Sequence, residues 1–122
     1  AMALRDAYNR MAAAKPYSQD NIAGDLAFHE TLIDSCGNHA LMCLKSVVMT
    51  TLKWAMSIQT GKSSLDYASA LGDHLRICEA VEQQDGVRAQ AVMSVLVHDA
   101  MLDTLEIFRR RHEREPFRSA AE

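Results

Sequence analysis

Apolar residues recur along this chain at steps of three and four, without the strict alternation that marks a half-buried strand. Leu4, Ala7, Tyr8 and Met11 form such a stripe and predict a short first helix over residues 2–14. It must end at Lys15-Pro16, because proline disfavours helical backbone in the residue before it. Ser18-Gln19-Asp20 offers caps for a second helix running to about Ser35, with Ile22, Leu26, Phe28, Leu32 and Ile33 as its apolar positions. Cys36-Gly37-Asn38 then supplies a glycine suited to a helix C-terminus and an asparagine suited to the next N-cap.

Leu41, Leu44, Val48, Leu52 and Ala55 share a stripe with Trp54 beside it, which predicts one long third helix from His39 to about Gln59. This helix is expected to be central or to face a second protomer. Thr60-Gly61-Lys62-Ser63-Ser64 reads as a loop with caps, and a fourth helix follows over roughly 65–84. Gln84-Asp85-Gly86 predicts a tight turn into a fifth helix from about Val87 to Arg111, whose basic end complements the helix dipole. That run, Arg109-Arg110-Arg111, reads as a solvated helix end. Met42, Met49, Met56 and Met93 are expected in the core, His39 at the surface and His112 in the tail.

With no internal repeat, five helices make an all-α antiparallel bundle in which helices four and five form a hairpin. His74 lies eleven residues before Asp85 and Leu96 eleven after, so the two should stand at the same height on adjacent helices. The 122 residues, 48% hydrophobic, are enough for one domain with a real core. A net charge of −3 argues against nucleic acid or anionic lipid as the main partner of this segment. No apolar run approaches the roughly 20 residues of a membrane span, and no signal segment opens the chain, so a soluble cytoplasmic protein is expected. Cys36, Cys43 and Cys78 are odd in number and lack a Cys-x-x-Cys pair, which predicts reduced, mostly buried thiols.

Candidate chemistry begins with Asp25 and His29. Four residues apart on a helix, they project from one face, and a bundle can bring His74 to join them. A carboxylate oxygen with imidazole nitrogens suits zinc, manganese, iron or nickel. An ordinary surface pair has the same spacing.

Several fragments carry a longer pattern: Asp25-Leu26-Ala27-Phe28-His29; Ser35-Cys36-Gly37-Asn38 followed by Leu41; His74-Leu75-Arg76-Ile77 with Ala80 and Asp85; and Ala89 through Met93. In order and spacing they resemble the effector-binding C-terminal domain (FCD) of FadR-type regulators in the GntR family of bacterial transcription factors, over about residues 4–106. The resemblance implies an all-α bundle, a homodimer, no catalysis, and a divalent metal that helps bind small carboxylates. It implies Asp25, His29 and His74 as metal ligands and effector contacts. The family's fourth ligand position is Leu96 here, also expected to meet the effector. His98 is turned about 200° away from that place. Asp99, one turn beyond Leu96, and Cys78, one turn beyond His74, are the candidates to compensate.

The resemblance further implies an N-terminal winged helix-turn-helix that contacts DNA, and one more helix before residue 2. Neither is present, so the chain is expected to be a fragment or isolated sensor, with Ala1-Met2 an artificial remnant, residues 1–115 the effector-binding and dimerisation domain, and 116–122 a tail. Two rival readings stand beside this. One is a helical dimerisation module whose pocket has decayed and holds no metal. The other is a metal-dependent phosphohydrolase of the type that uses a His-Asp dipeptide, from His98-Asp99, although Asp103 is too close to serve as its further carboxylate. Di-iron bundles need Glu-x-x-His pairs, and the chain has none.

Overall fold

The computed structural model describes residues 1–59 and 64–114, which form six helices and no strand among the described residues. They are α1 (Met2–Ala13), α2 (Gln19–Ser35), α3 (His39–Cys43), α4 (Lys45–Ile58), α5 (Ser64–Glu82) and α6 (Gly86–Arg114). Of the loop expected over residues 60–64, residues 60–63 lie outside the described residues, as does the tail over 116–122, while Ser64 begins α5.

Local chemistry sets most of the boundaries. Ala14 is extended (φ −83°, ψ 154°) ahead of Pro16, which closes α1. The Ser18 side chain caps α2 by accepting the Asn21 N–H at 3.2 Å, and Asn38 caps α3 by accepting the Leu41 N–H at 3.1 Å. Gly37 takes the left-handed conformation (φ +65°) that ends α2. The α5–α6 hairpin turns tightly where expected, with Gln84 in the left-handed conformation (φ +56°). Asp85 N–H bonds back to the Ala80 carbonyl and Gln84 N–H to the Val81 carbonyl, a Schellman closure. Gly86 instead begins α6, where the Asp85 carboxylate accepts the Arg88 N–H at 2.9 Å.

The expected third helix is broken at Leu44 (φ −87°, ψ −1°), whose N–H is shared between the Ala40 and Leu41 carbonyls. Beyond the break, Lys45 bonds Asp34 and Glu30 on α2, each at 2.8 Å. Neither α3 nor α4 buries a side chain, so this part of the chain lies at the edge of the bundle and not at its centre. Met42 is exposed, Met49, Met56 and Met93 are only half-buried, and Trp54 stacks at the surface on Phe108. Cys36 and Cys43 are exposed too, at the end of α2 and on the unburied α3, so of the three thiols only Cys78 is buried as expected. His112 belongs to α6, not to a tail.

The core is small and sits between α1, α2, α5 and α6, built from Leu4, Ala7, Phe28, Ile77, Cys78 and Leu96. Two features lock α1 against α2. Buried Asn21 donates to the Met11 carbonyl at 2.9 Å and to the Tyr67 hydroxyl at 2.8 Å, while accepting the Tyr17 N–H. Gly24 lies directly on the α1 backbone: a Cβ there would meet the Met11 nitrogen at 2.7 Å and its Cα at 2.8 Å. These are main-chain atoms that cannot swing aside. Gly24→Ala should therefore force the helices apart and cost about 1–3 kcal/mol, the usual range for overpacking. Chemical denaturation measures this; an alanine variant as stable as the parent would mean that the two helices do not touch here.

Candidate metal centre

The i, i+4 spacing on α2 carries Asp25 and His29 to one face, and α5 brings His74 against them. Asp25 Oδ1 lies 3.2 Å from His29 Nε2 and 3.2 Å from His74 Nε2. Ligand atoms of the three residues all fall within 4.8 Å of one another, the only such group among the described residues. His74 is 4% exposed. The ring of Phe28, fully buried, stands edge-on behind it at 4.9 Å between centroids and holds its plane.

The hydrogen bonds constrain what can occupy the space between these groups. His74 Nδ1 lies 2.7 Å from the Ala70 carbonyl, which can only accept, so Nδ1 carries a proton. Neutral His74 would then turn the lone pair of Nε2 toward the lone pairs of Asp25. A second proton or a cation must therefore lie between them. Burial alone would push the Asp25 carboxyl up, but the bonds from His29 and His74 hold it well below the usual carboxylate range. For His74, burial opposes the charge, yet the Asp25 bond and field outweigh it and raise the imidazole.

The two separations from Asp25 are those a divalent ion would need, while the three donors together are held within 4.8 Å of one another. Ligand bonds of about 2.1 Å separate neighbouring donors by about 3.0 Å at a right angle and about 3.4 Å at the tetrahedral angle. The two 3.2 Å separations fall between these. The Ala70 carbonyl also orients His74 as an outer-shell acceptor does for a metal-bound imidazole.

All three side chains open on a cavity of about 300 Å³ between α2, α4, α5 and α6, at the lower end of the range for small-molecule sites. Leu96 lines it too, so it and His74 share the cavity, as their equal distances from Asp85 suggested. Asp99 lines the cavity but stands outside the group of three. Cys78 points elsewhere: its Sγ faces the Leu4 carbonyl at 3.8 Å, and burial pushes the thiol up to about 11. His98 is exposed and outside both the group and the cavity wall, which removes the geometric basis for pairing it with Asp99. Arg109 and Arg110 bond Glu106 at the solvated end of α6. One residue with no signal in the pattern is Tyr17, whose ring lines a smaller cavity of about 70 Å³ sharing Asp25 and His74.

The shifted His74 gives a pH dependence. Its folded pKa lies above the ordinary 6.5, so its charged form adds stability fully present below about 6.5 and lost as pH rises through the raised value. Asp25 has the opposite sign: its contribution is present above the ordinary 3.8 and is lost only as pH falls into acid. Metal-free protein should thus melt at a lower temperature at pH 8 than at pH 6, and Asp25→Asn should flatten that difference. An unchanged slope in the variant would show that another group is responsible.

No curated protein and no solved structure matches the chain. The FCD domain family does, over residues 2–99. That span holds Asp25, His29, His74 and Leu96, and the all-helical bundle agrees with it. The chain belongs to the FCD domain family, a regulatory family associated with the effector-binding domains of GntR-type transcription regulators.

Proposed function

We propose that this chain is the ligand-sensing and dimerisation half of a FadR-subfamily GntR regulator, binding a small organic acid and controlling an attached winged helix-turn-helix on DNA in the cytoplasm. The observation that carries the reading is the convergence of Asp25, His29 and His74 beside the larger cavity. These three would hold a divalent ion such as zinc, nickel, manganese or iron. When bound, the ion supplies positive charge and open coordination positions for the oxygens of an acid. Leu96 leaves its part of the wall without a donor, so protein ligation stops at three and affinity is expected to be modest.

A second copy of the chain is the partner that the surface suits best. Val47 and Trp54 on α4, with Leu102, Leu105 and Phe108 on α6, are exposed large apolar residues, and such patches mark interfaces. Effector binding between α2, α4, α5 and α6 would favour one placement of the two protomers over another, and so decide whether attached DNA-binding domains fit their half-sites. A metal-free pocket is the second reading, favoured by one observation: doubly protonated His74 already satisfies both Ala70 and Asp25.

Elemental analysis with thermal shift against a panel of carboxylates separates the two. A divalent metal at near one per chain, an upward shift with an acid, and loss of both in His74→Ala are expected. No metal above background and no shift with any acid would favour the empty pocket, and a metal-dependent shift that survives His74→Ala would misplace the site. For the dimer, sedimentation should show twice the chain mass for the parent and a shift to monomer for Phe108→Asp; a parent that sediments as a monomer would remove this part of the reading.

A further inference from the structure

The larger cavity has two chemically different sides. The side built by α2 and α5 holds Asp25, His29 and His74, with Ser69 and Asp73 also on α5. The side built by α4 and α6 is largely hydrocarbon: α4 supplies Leu52, Ala55 and Met56, and α6 supplies Leu96, Val97 and Leu102. Leu96 is 8% exposed and belongs to the same apolar cluster as Phe28, the ring that backs His74, so the hydrocarbon wall begins close to the polar group. Val97 and Leu102 line the cavity yet are 56% and 49% exposed, so the same wall continues from the interior to the mouth.

The polar atoms on this side have little to give a ligand. No Lys or Arg lines the cavity among the described residues, so a second carboxylate would meet no cation there. Gln59 lines it, but its amide nitrogen already donates to the Ala100 carbonyl at 3.4 Å and to the Thr104 hydroxyl at 3.1 Å. Asp99 is exposed to competing water, and Asp103 has a partner of its own. A carboxylate or hydroxyl seated against α4 and α6 would therefore give up bonds to water without replacement, whereas a methylene group there gains by leaving water. One end of the cavity suits a single carboxylate and the rest suits hydrocarbon.

We propose that the effector is a monocarboxylate with a short hydrocarbon tail, the tail lying along Leu52, Met56, Leu96 and Val97 between α4 and α6. The inference rests on the reading of Asp25, His29 and His74 as the acid-binding end. Discrimination then comes from the wall: a polyhydroxylated acid or a dicarboxylate of the same length pays for its second polar group, and a plain alkyl acid does not.

Calorimetric titration of the chain, with and without zinc, tests this with the unbranched acids from acetate to octanoate, set against hydroxy acids, dicarboxylates and primary alcohols of matched length. Each added methylene should tighten binding about fourfold until the cavity is full, the increment for burying one CH2. The heat-capacity change should grow more negative over the same steps. A terminal hydroxyl or second carboxylate should weaken binding about tenfold or more relative to the matched alkyl acid. Ala55→Leu should move the plateau to a shorter acid without changing the affinity for acetate, and Met56→Gln should reduce the gain per methylene. Affinity that stays flat along the series, polar acids that bind as tightly as alkyl acids, or a plateau unmoved by Ala55→Leu overturns the hydrocarbon tail and leaves the acid reading standing. Alcohols that bind as tightly as their matched acids overturn the acid reading and leave the apolar cleft. Binding by none of the series overturns both.

Discussion

With no side chain at position 24, α2 rests on the backbone of α1 at Met11, and the candidate site inherits its position from that contact. Asp25 is the next residue, and His29 lies one turn further along the same helix. Asn21, one turn before Asp25, bonds the end of α1 and the Tyr67 hydroxyl of α5, so the helix carrying His74 is tied into the same joint. Close backbone approach and a fully engaged buried amide thus set where three side chains on two helices can meet. The apolar core behind them, with Phe28 at its centre, is small, so this polar joint carries an unusual share of the orientation.

The Ala70 carbonyl dictates the chemistry of the centre. By taking the Nδ1 proton it leaves His74 Nε2 facing Asp25 Oδ1, and two lone pairs at 3.2 Å require positive charge between them. A proton and a divalent cation both satisfy that requirement. The same geometry therefore suits a protonated, self-paired state, and under the proposed function it would also suit a metal-loaded one, in which the ion would displace a proton that Asp25 helps to retain.

The outer helices have a different character. α4 buries none of its side chains, yet it supplies Leu52, Ala55 and Met56 to the cavity wall, and Gln59, just past its end, joins them and bonds Thr104 on α6 at 3.1 Å. Trp54 and Phe108, each 46% exposed, stack at 5.6 Å between the same two helices. This wall touches the cavity on one side and presents apolar surface on the other, and under the proposed function it would link the effector site to a second protomer.

Much of this was legible in the chain itself, because local rules suffice where local atoms decide. The caps at Ser18 and Asn38, the left-handed Gly37, the stop before Pro16 and the pairing of Asp25 with His29 are all set within a few residues, and so is the equal height of His74 and Leu96 about their turn. Tertiary contact decided the rest. Periodicity records which helical face is apolar but not what covers it, so it predicted a buried long helix where α3 and α4 form a broken and exposed edge. It also left Gly24 as one glycine among five, gave Cys78 a face it uses against Leu4, and passed over Tyr17. For Gly24 and Cys78 the deciding atoms belong to another helix: the backbone of Met11 and the carbonyl of Leu4.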